Sequence, residues 1–419
     1  MNQNIVYPKF RWFVLLMLGF VTMASSVVLI SPAPLVSVIA KDLGLSLGET
    51  TGMMMGPFTF CVAISCILGG VIIDRIGIIK VFIGSLILLI AGGLLTPVIG
   101  NTLGGLLFIR VIGGFGTGPI MATLTTVAAQ WFPSEERGIV TGTQGMSVGF
   151  GVALGFVAAP AFFTMAGTWQ AGMAWLSIFS IIGLILTIIV AVGPKAPEVV
   201  NEMACEVAVS SGSDYKLALG QLVTWLCVIG IFVNSWANQA FNDLTPGYLA
   251  IEAPIGLGMG PMTAGQYMMI YQLAFMVGSV LCGIVMKKVF NGNARPVLLI
   301  CSILAAVFAL SVKLPIIYSN STALLICLIL TGLFLSSINP TIQAFISMHY
   351  PKSIIGKIGG MAMGIGIFGG TAGVAAGSVA LHTTGTYQLS ILIVAAILLV
   401  GFVFALGMKP PKGFGASNN

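Results

Sequence analysis

The chain has 419 residues, 58% of them hydrophobic and 7% charged, with a mean hydropathy of +1.08. A soluble domain carries about 25% charged residues, so a water-facing surface of this size is excluded and most of the exterior must face lipid. The net charge of +6 comes from basic residues scattered singly between apolar runs, not from the basic face that nucleic acid requires.

Apolar runs near the ~20 residues needed to cross a bilayer predict an all-α membrane protein of twelve helices. They cover residues 12–38, 50–72, 80–100, 103–130, 139–163, 172–193, 218–241, 262–286, 296–317, 322–347, 357–381 and 387–408. The first run is too long for a signal-peptide core and lacks a small-residue cleavage site, so it reads as a retained membrane helix. Residues 194–217 are different, with Pro, Ser and six charged residues between apolar segments. They predict a linker between an N-terminal six-helix bundle (1–193) and a C-terminal one (218–419).

An even number of crossings puts both termini on one side. One set of loops and tails carries fourteen lysines and arginines, the other only Lys41 and Lys313, and Arg110 lies inside a helix, which accounts for all 17. By the positive-inside rule both termini are cytoplasmic, as expected for a multi-pass protein of the cytoplasmic membrane. The seven cysteines show no disulfide or metal-ligand spacing.

The halves repeat. At an offset of 218, Phe132-Pro133 falls opposite Tyr350-Pro351, and Gly114, Gly138, Gly142, Gly151 and Gly155 fall opposite Gly332, Gly356, Gly360, Gly369 and Gly373. Six helices per repeat give both halves the same orientation, which is a parallel-repeat carrier architecture.

Gly70-Val-Ile-Ile-Asp74-Arg75-Ile-Gly77-Ile-Ile-Lys80 follows predicted helix 2. Arg110-Val-Ile-Gly-Gly114-Phe-Gly116-Thr-Gly118 lies in helix 4, and Phe132-Pro133-Ser-Glu135-Glu136-Arg137-Gly138 follows it. Together these resemble the motifs of the major facilitator superfamily, over essentially the whole chain. Gly70 and Gly77 suit close approach and a tight turn. The resemblance implies a conformational latch made by Gly70, Asp74, Arg75, Gly77, Lys80 and Arg137, with Asp74 meeting the start of helix 11 near Gly356. In the second half Lys287-Lys288 stands where an acid would match, so the latch is expected to be asymmetric. The glycines of helices 5 and 11 are implied to line the cavity and touch the opposite half. Helix 5 lacks the Gly-Pro pair of exchangers and does not argue for antiport.

Arg110 sits about seven residues, ~10 Å, inside helix 4. A charge at that depth is costly and marks a functional candidate, with helix packing onto backbone carbonyls as the bland alternative. None of the eleven acids is expected mid-membrane, Asp243 being placed at or beyond the outer end of helix 7. A lone embedded cation favours an anionic substrate. Further candidates are polar side chains on shared helix faces: Asn234 and Asn238 on helix 7, Tyr267, Tyr271 and Gln272 on helix 8, Asn339 and Gln343 on helix 10, and Gln144 on helix 5. Each serves equally well as interhelical glue.

No HExxH, nucleophile–base pair or phosphate-cradling GxxxxGK[ST] is present, so no catalytic residue, cofactor or metal is assigned and the chain is not read as an enzyme. The expectation is a monomeric secondary carrier of a small organic anion. Alternating access would be driven by protons or a counter-substrate. The runner-up is an exporter of amphiphilic or drug-like compounds.

Overall fold

The computed structural model describes residues 8–133, 136–196 and 214–411. It contains twelve helices long and apolar enough to cross a membrane, and no strand among the described residues. We number them α1 Arg11–Ile30, α2 Leu47–Ile76, α3 Ile78–Ile99, α4 Leu103–Ala122, α5 Arg137–Ala166 and α6 Trp169–Val192, the last with a break at Leu176. The second six are α7 Leu222–Ala250, α8 Gly260–Lys288, α9 Ala294–Ser311, α10 Ser321–His349, α11 Lys352–Thr384 and α12 Gln388–Leu406. Short helices Val36–Leu43 and Leu124–Trp131 continue α1 and α4.

Local chemistry sets the ends. Ser46 and Glu49 close a reciprocal capping box at the start of α2, and Asn320 accepts from the N–H groups of Thr322 and Ala323 ahead of α10. Gly77, at φ +84°, makes the sharp turn between α2 and α3, a backbone conformation open to glycine. Gly70 does not pack closely, contrary to expectation: its Cα faces open space, and the close approach is made one residue earlier, by Gly69 against Pro119 of α4.

Two compact units form. One comprises α1–α6 and takes in the chain from Pro246 to Met269; the other runs up to Thr245 and resumes at Ile270. Most of the predicted linker, residues 197–213, lies outside the described residues.

The repeat is visible in the packing. Gly151 and Gly155 of α5 press on the carbonyls of Met23 and Val27 of α1, while Gly369 and Gly373 of α11 press on those of Phe232 and Trp236 of α7. Both pairs give the same register, α1 residue plus 209. Likewise Gly114 of α4 meets Phe58 and Cys61 of α2, and Gly332 of α10 meets Tyr271 and Ala274 of α8, a register of 213. In each case small residues let two helix backbones touch. Gly151, Gly155, Gly369 and Gly373 each pack within their own unit.

The aromatic-Pro pairs anchor equivalent corners. Phe132 is fully buried edge-on to Trp12, and the Tyr350 hydroxyl shares a 2.7 Å hydrogen bond with Thr224. Burial pushes the Tyr350 phenol up to about 12, against a smaller opposing pull from Thr224.

Candidate functional site

In the first unit the site is built around Arg110, 5% exposed. Pro32 and Pro34 end α1 early, and Pro32 has no N–H to pair with the Val28 carbonyl. The Arg110 guanidinium supplies the missing donors, with Nη1 3.1 Å from the Val28 oxygen and Nη2 3.0 Å from that of Leu29. Its Nε donates to the Met54 carbonyl of α2, in the turn that carries Pro57. The guanidinium carbon lies 4.1 Å from the centre of the Phe58 ring, a cation–π distance. Arg110 thus does what the bland reading described, and it also lines a narrow, mostly apolar cavity with Ser31, Thr96, Trp169 and Ser177. The Ser177 hydroxyl is buried with no protein partner among the described residues. Gln144 of α5 is also buried with an unpartnered amide nitrogen.

In the second unit the polar candidates gather on α7, the least apolar of the twelve helices, with a mean hydropathy of 1.2. Asn234 Nδ2 donates to the Leu335 carbonyl of α10 at 3.0 Å, and so ties two helices together. Asn238 Oδ1 accepts from Asn242 Nδ2 at 3.0 Å and from the buried Tyr271 hydroxyl at 3.5 Å. Gln272 is buried beside Tyr271 with its amide oxygen unpartnered. Tyr267, one turn earlier on α8, falls in the stretch that belongs to the first unit and is half-buried. Asn339 and Gln343 of α10 face α11, where Asn339 Nδ2 lies 3.7 Å from the Met363 sulfur and Gln343 borders Gly359. The structure therefore joins Asn238 to Tyr271 and leaves Asn234, Asn339 and Gln343 in separate contacts.

Asp243 corrects the sequence reading. It lies inside α7, seven residues before the helix ends, and is 0% exposed. Gln239 Nε2 donates to its Oδ2 at 2.9 Å. The predicted span stopped at 241 because Asn242, Asp243, Pro246 and Gly247 are turn formers. Tertiary burial of every residue from 240 to 250 overrides that preference. The i, i+4 spacing of Gln239 and Asp243 was the one available signal, and Ser177 and Asn242 gave none.

Of the latch residues, Arg75 and Lys80 are exposed; the side chains of Asp74 and Arg137 lie outside the described residues, as does Glu135.

A model of the Major Facilitator Superfamily matches residues 15–312 and, in a second overlapping match, 257–418. The chain belongs to the Major Facilitator Superfamily. Among curated members, it is 24% identical to the hexuronate transporter of Bacillus subtilis over 89% of this chain and 90% of that one. It is 23% identical to a probable sulfoacetate transporter of Cupriavidus necator over 98% and 96%. A match to a probable chloroplastic anion transporter of Arabidopsis thaliana, 24% identical, takes in 50% of this chain and 43% of that one. The superfamily fold is shared with a bacterial homologue of the human lysosomal transporter Spinster, at TM-score 0.77 and 14% identity over 96% of this chain and 98% of that one. A D-xylose–proton symporter superposes at TM-score 0.71 and 17% identity over 97% and 99%. Family and fold make this an integral membrane transporter of the superfamily.

Proposed function

We propose that this transporter moves a small carboxylate-type organic anion across the cytoplasmic membrane by alternating access, with both termini in the cytoplasm, coupled to protons or to a counter-substrate. The observation that carries the reading is Arg110, a buried guanidinium on a cavity wall that also bears the unpartnered Ser177 hydroxyl. The relatives named for hexuronate and sulfoacetate support the substrate class. A guanidinium is a planar fork suited to a carboxylate. An arriving carboxylate would take over donors that now serve the Val28 and Leu29 carbonyls. Those carbonyls belong to the broken end of α1, so binding would loosen that end, which is a physical route from occupancy to helix movement. The latch residues Gly70, Asp74, Arg75, Gly77, Lys80 and Arg137, and the amide and phenol candidates of α5, α7, α8 and α10, belong to this proposal as switching and substrate-orienting groups.

The test is thermal unfolding of the detergent-purified protein with D-glucuronate, D-glucarate, sulfoacetate, neutral sugars and hydrophobic cations. A ligand at 100 times its Kd stabilises the folded state by about 2.7 kcal/mol. Carboxylates and the sulfonate should stabilise the wild type, and Arg110→Lys, which keeps the charge and loses the fork, should weaken the effect. Stabilisation by cations or neutral compounds alone, unchanged in Arg110→Lys, would replace this reading with the amphiphile exporter.

A further inference from the structure

Where α2 turns into α3, the first unit holds a cavity of about 280 Å³, roughly twenty times the ~15 Å³ that one water needs. Four parts of the chain supply its walls: the first half of α1, the turn itself, the continuation of α4, and the end of α6 with the residues just after it. Val14, Met17 and Ile76 make the apolar side, and Lys80, Lys195 and Gln130 the polar one. It is separate from the cavity that Arg110 lines, with which it shares no residue.

The two lysines are brought together by the fold. Lys80 stands in the first turn of α3, directly after the bend at Gly77. Lys195 is placed by its neighbours: a methyl on Gly193 would strike the Phe10 ring, and Ala196 packs against the apolar core of the unit. Both lysines are exposed, and among the described residues neither meets a carboxylate. Glu136, five residues beyond Trp131, is bridged to Arg11 at 2.9 Å. No acid lies among the described lining residues.

Two ammonium groups beside an apolar hollow suit an anion with an apolar body. Lysine meets phosphate as a point charge and needs no fork geometry. A free phosphate would leave the apolar walls wet. Ile76 is 48% exposed, and Val192, between two lining residues, is 85% exposed. On a membrane-spanning bundle such a surface faces acyl chains, so the hollow is continuous with the lipid-facing exterior. Basic pockets between membrane helices at the level of the headgroups hold anionic lipids.

We propose that this cavity is a binding site for an anionic phospholipid. Its phosphate sits between Lys80 and Lys195, the Gln130 amide donates to a headgroup oxygen, and the start of an acyl chain lies along Val14 and Met17. Bound there, the lipid ties the start of α3 to the end of α6. The orientation proposed above enters only in the choice of leaflet, the cytoplasmic one, and Lys80 of the proposed latch acquires a lipid partner.

Native mass spectrometry of the detergent-purified chain, titrated with phosphatidylglycerol, reads this binding without any transport substrate. One adduct should form at lower lipid concentration than with phosphatidylcholine of the same acyl chains. Lys80→Gln and Lys195→Gln should each weaken it about fivefold, while Lys41→Gln with Lys409→Gln, which removes two exposed lysines elsewhere, should leave it unchanged. Ala191→Trp fills the hollow from an exposed lining position and keeps both charges; it should also expel the lipid, and it carries the test if the double lysine variant does not fold. Equal retention of phosphatidylcholine overturns the proposal, as does phosphatidylglycerol binding that survives the lysine variants or Ala191→Trp. Inorganic phosphate that displaces the lipid at equal concentration would make the site one for the free ion and overturn it as well. Lipid binding that appears only in Glu198→Gln/Glu202→Gln/Glu206→Gln would assign the cavity to the acidic linker instead.

Discussion

The corner of α1, α2 and α4 and the corresponding corner of α7, α8 and α10 occupy equivalent places in the repeat, yet they are polar in opposite ways. In the first, Pro32 interrupts α1 and Arg110 of α4 reaches across to the freed carbonyls, stacked on Phe58. In the second, the residue equivalent to Arg110 is the buried Leu328 and the equivalent of Phe58 is Tyr271. There α7 runs unbroken to Ala250, and the position matching Pro34 is Asp243. A broken helix needs external donors, so its polar group comes from a neighbour and is cationic. In α7 only the Asn242 carbonyl loses its donor, to Pro246, the helix continues, and its side chains carry amides and an acid. The difference teaches that the polar character of each corner follows from whether one helix is continuous.

The largest effect that could break this comparison is at Arg110. Arg110→Leu makes the first corner resemble the second and takes the guanidinium donors from the Val28, Leu29 and Met54 carbonyls, of which Val28 keeps the Ser31 hydroxyl; the loss should be about 3 kcal/mol at 1–3 kcal/mol per buried group. Thermal unfolding of the purified protein reads the loss. Adding Pro32→Ala returns an N–H to the Val28 carbonyl, and the double variant should recover about 1 kcal/mol; no coupling between the two would separate Arg110 from the helix break. Next come Gly151→Ala and Gly369→Ala. A methyl at either meets a carbonyl of the partner helix, so each should cost about 1–3 kcal/mol, and unequal losses would show that one repeat packs more loosely. Smaller again, Asn234→Ala removes one bond to α10, about 1 kcal/mol, and should leave ligand stabilisation intact; a changed ligand preference would move Asn234 from glue to site.

The smallest expected effect is at Tyr350. Tyr350→Phe should lose about 0.5–1 kcal/mol below pH 10. Burial holds the phenol up at about 12, above the ordinary tyrosine value of 10.0, so the folded state disfavours its ionised form. Its contribution is complete below pH 10 and declines as pH rises from 10 to 12. Unfolding followed across that window should show the wild type losing stability relative to Tyr350→Phe.

The twelve crossings were legible because apolar runs of membrane length admit few alternatives, and the repeat because glycine positions survive where backbones touch. The end of α7 was not legible: Asn242, Asp243, Pro246 and Gly247 read as a turn, and only their burial makes them helix. Arg110 was legible as a buried charge. Its partners were not, since they depend on Pro32 being folded against α4 from almost eighty residues away. Gly70 was misjudged because a motif gives the residue type, while the face each glycine presents is set by where α4 lies.

One contact described by its glycines has a reciprocal form in the two halves. A methyl on Gly118 of α4 would strike the Ser65 hydroxyl of α2, and a methyl on Gly278 of α8 would strike the Ser336 hydroxyl of α10. By the registers above, Gly118 matches Ser336 and Ser65 matches Gly278. The crossing has therefore been filled twice with one glycine and one serine, assigned to opposite helices. Exchanging α4 for α10 between the halves would set serine against serine at one crossing and leave a hole at the other. The two halves descend to the same plan, but their parts are no longer interchangeable.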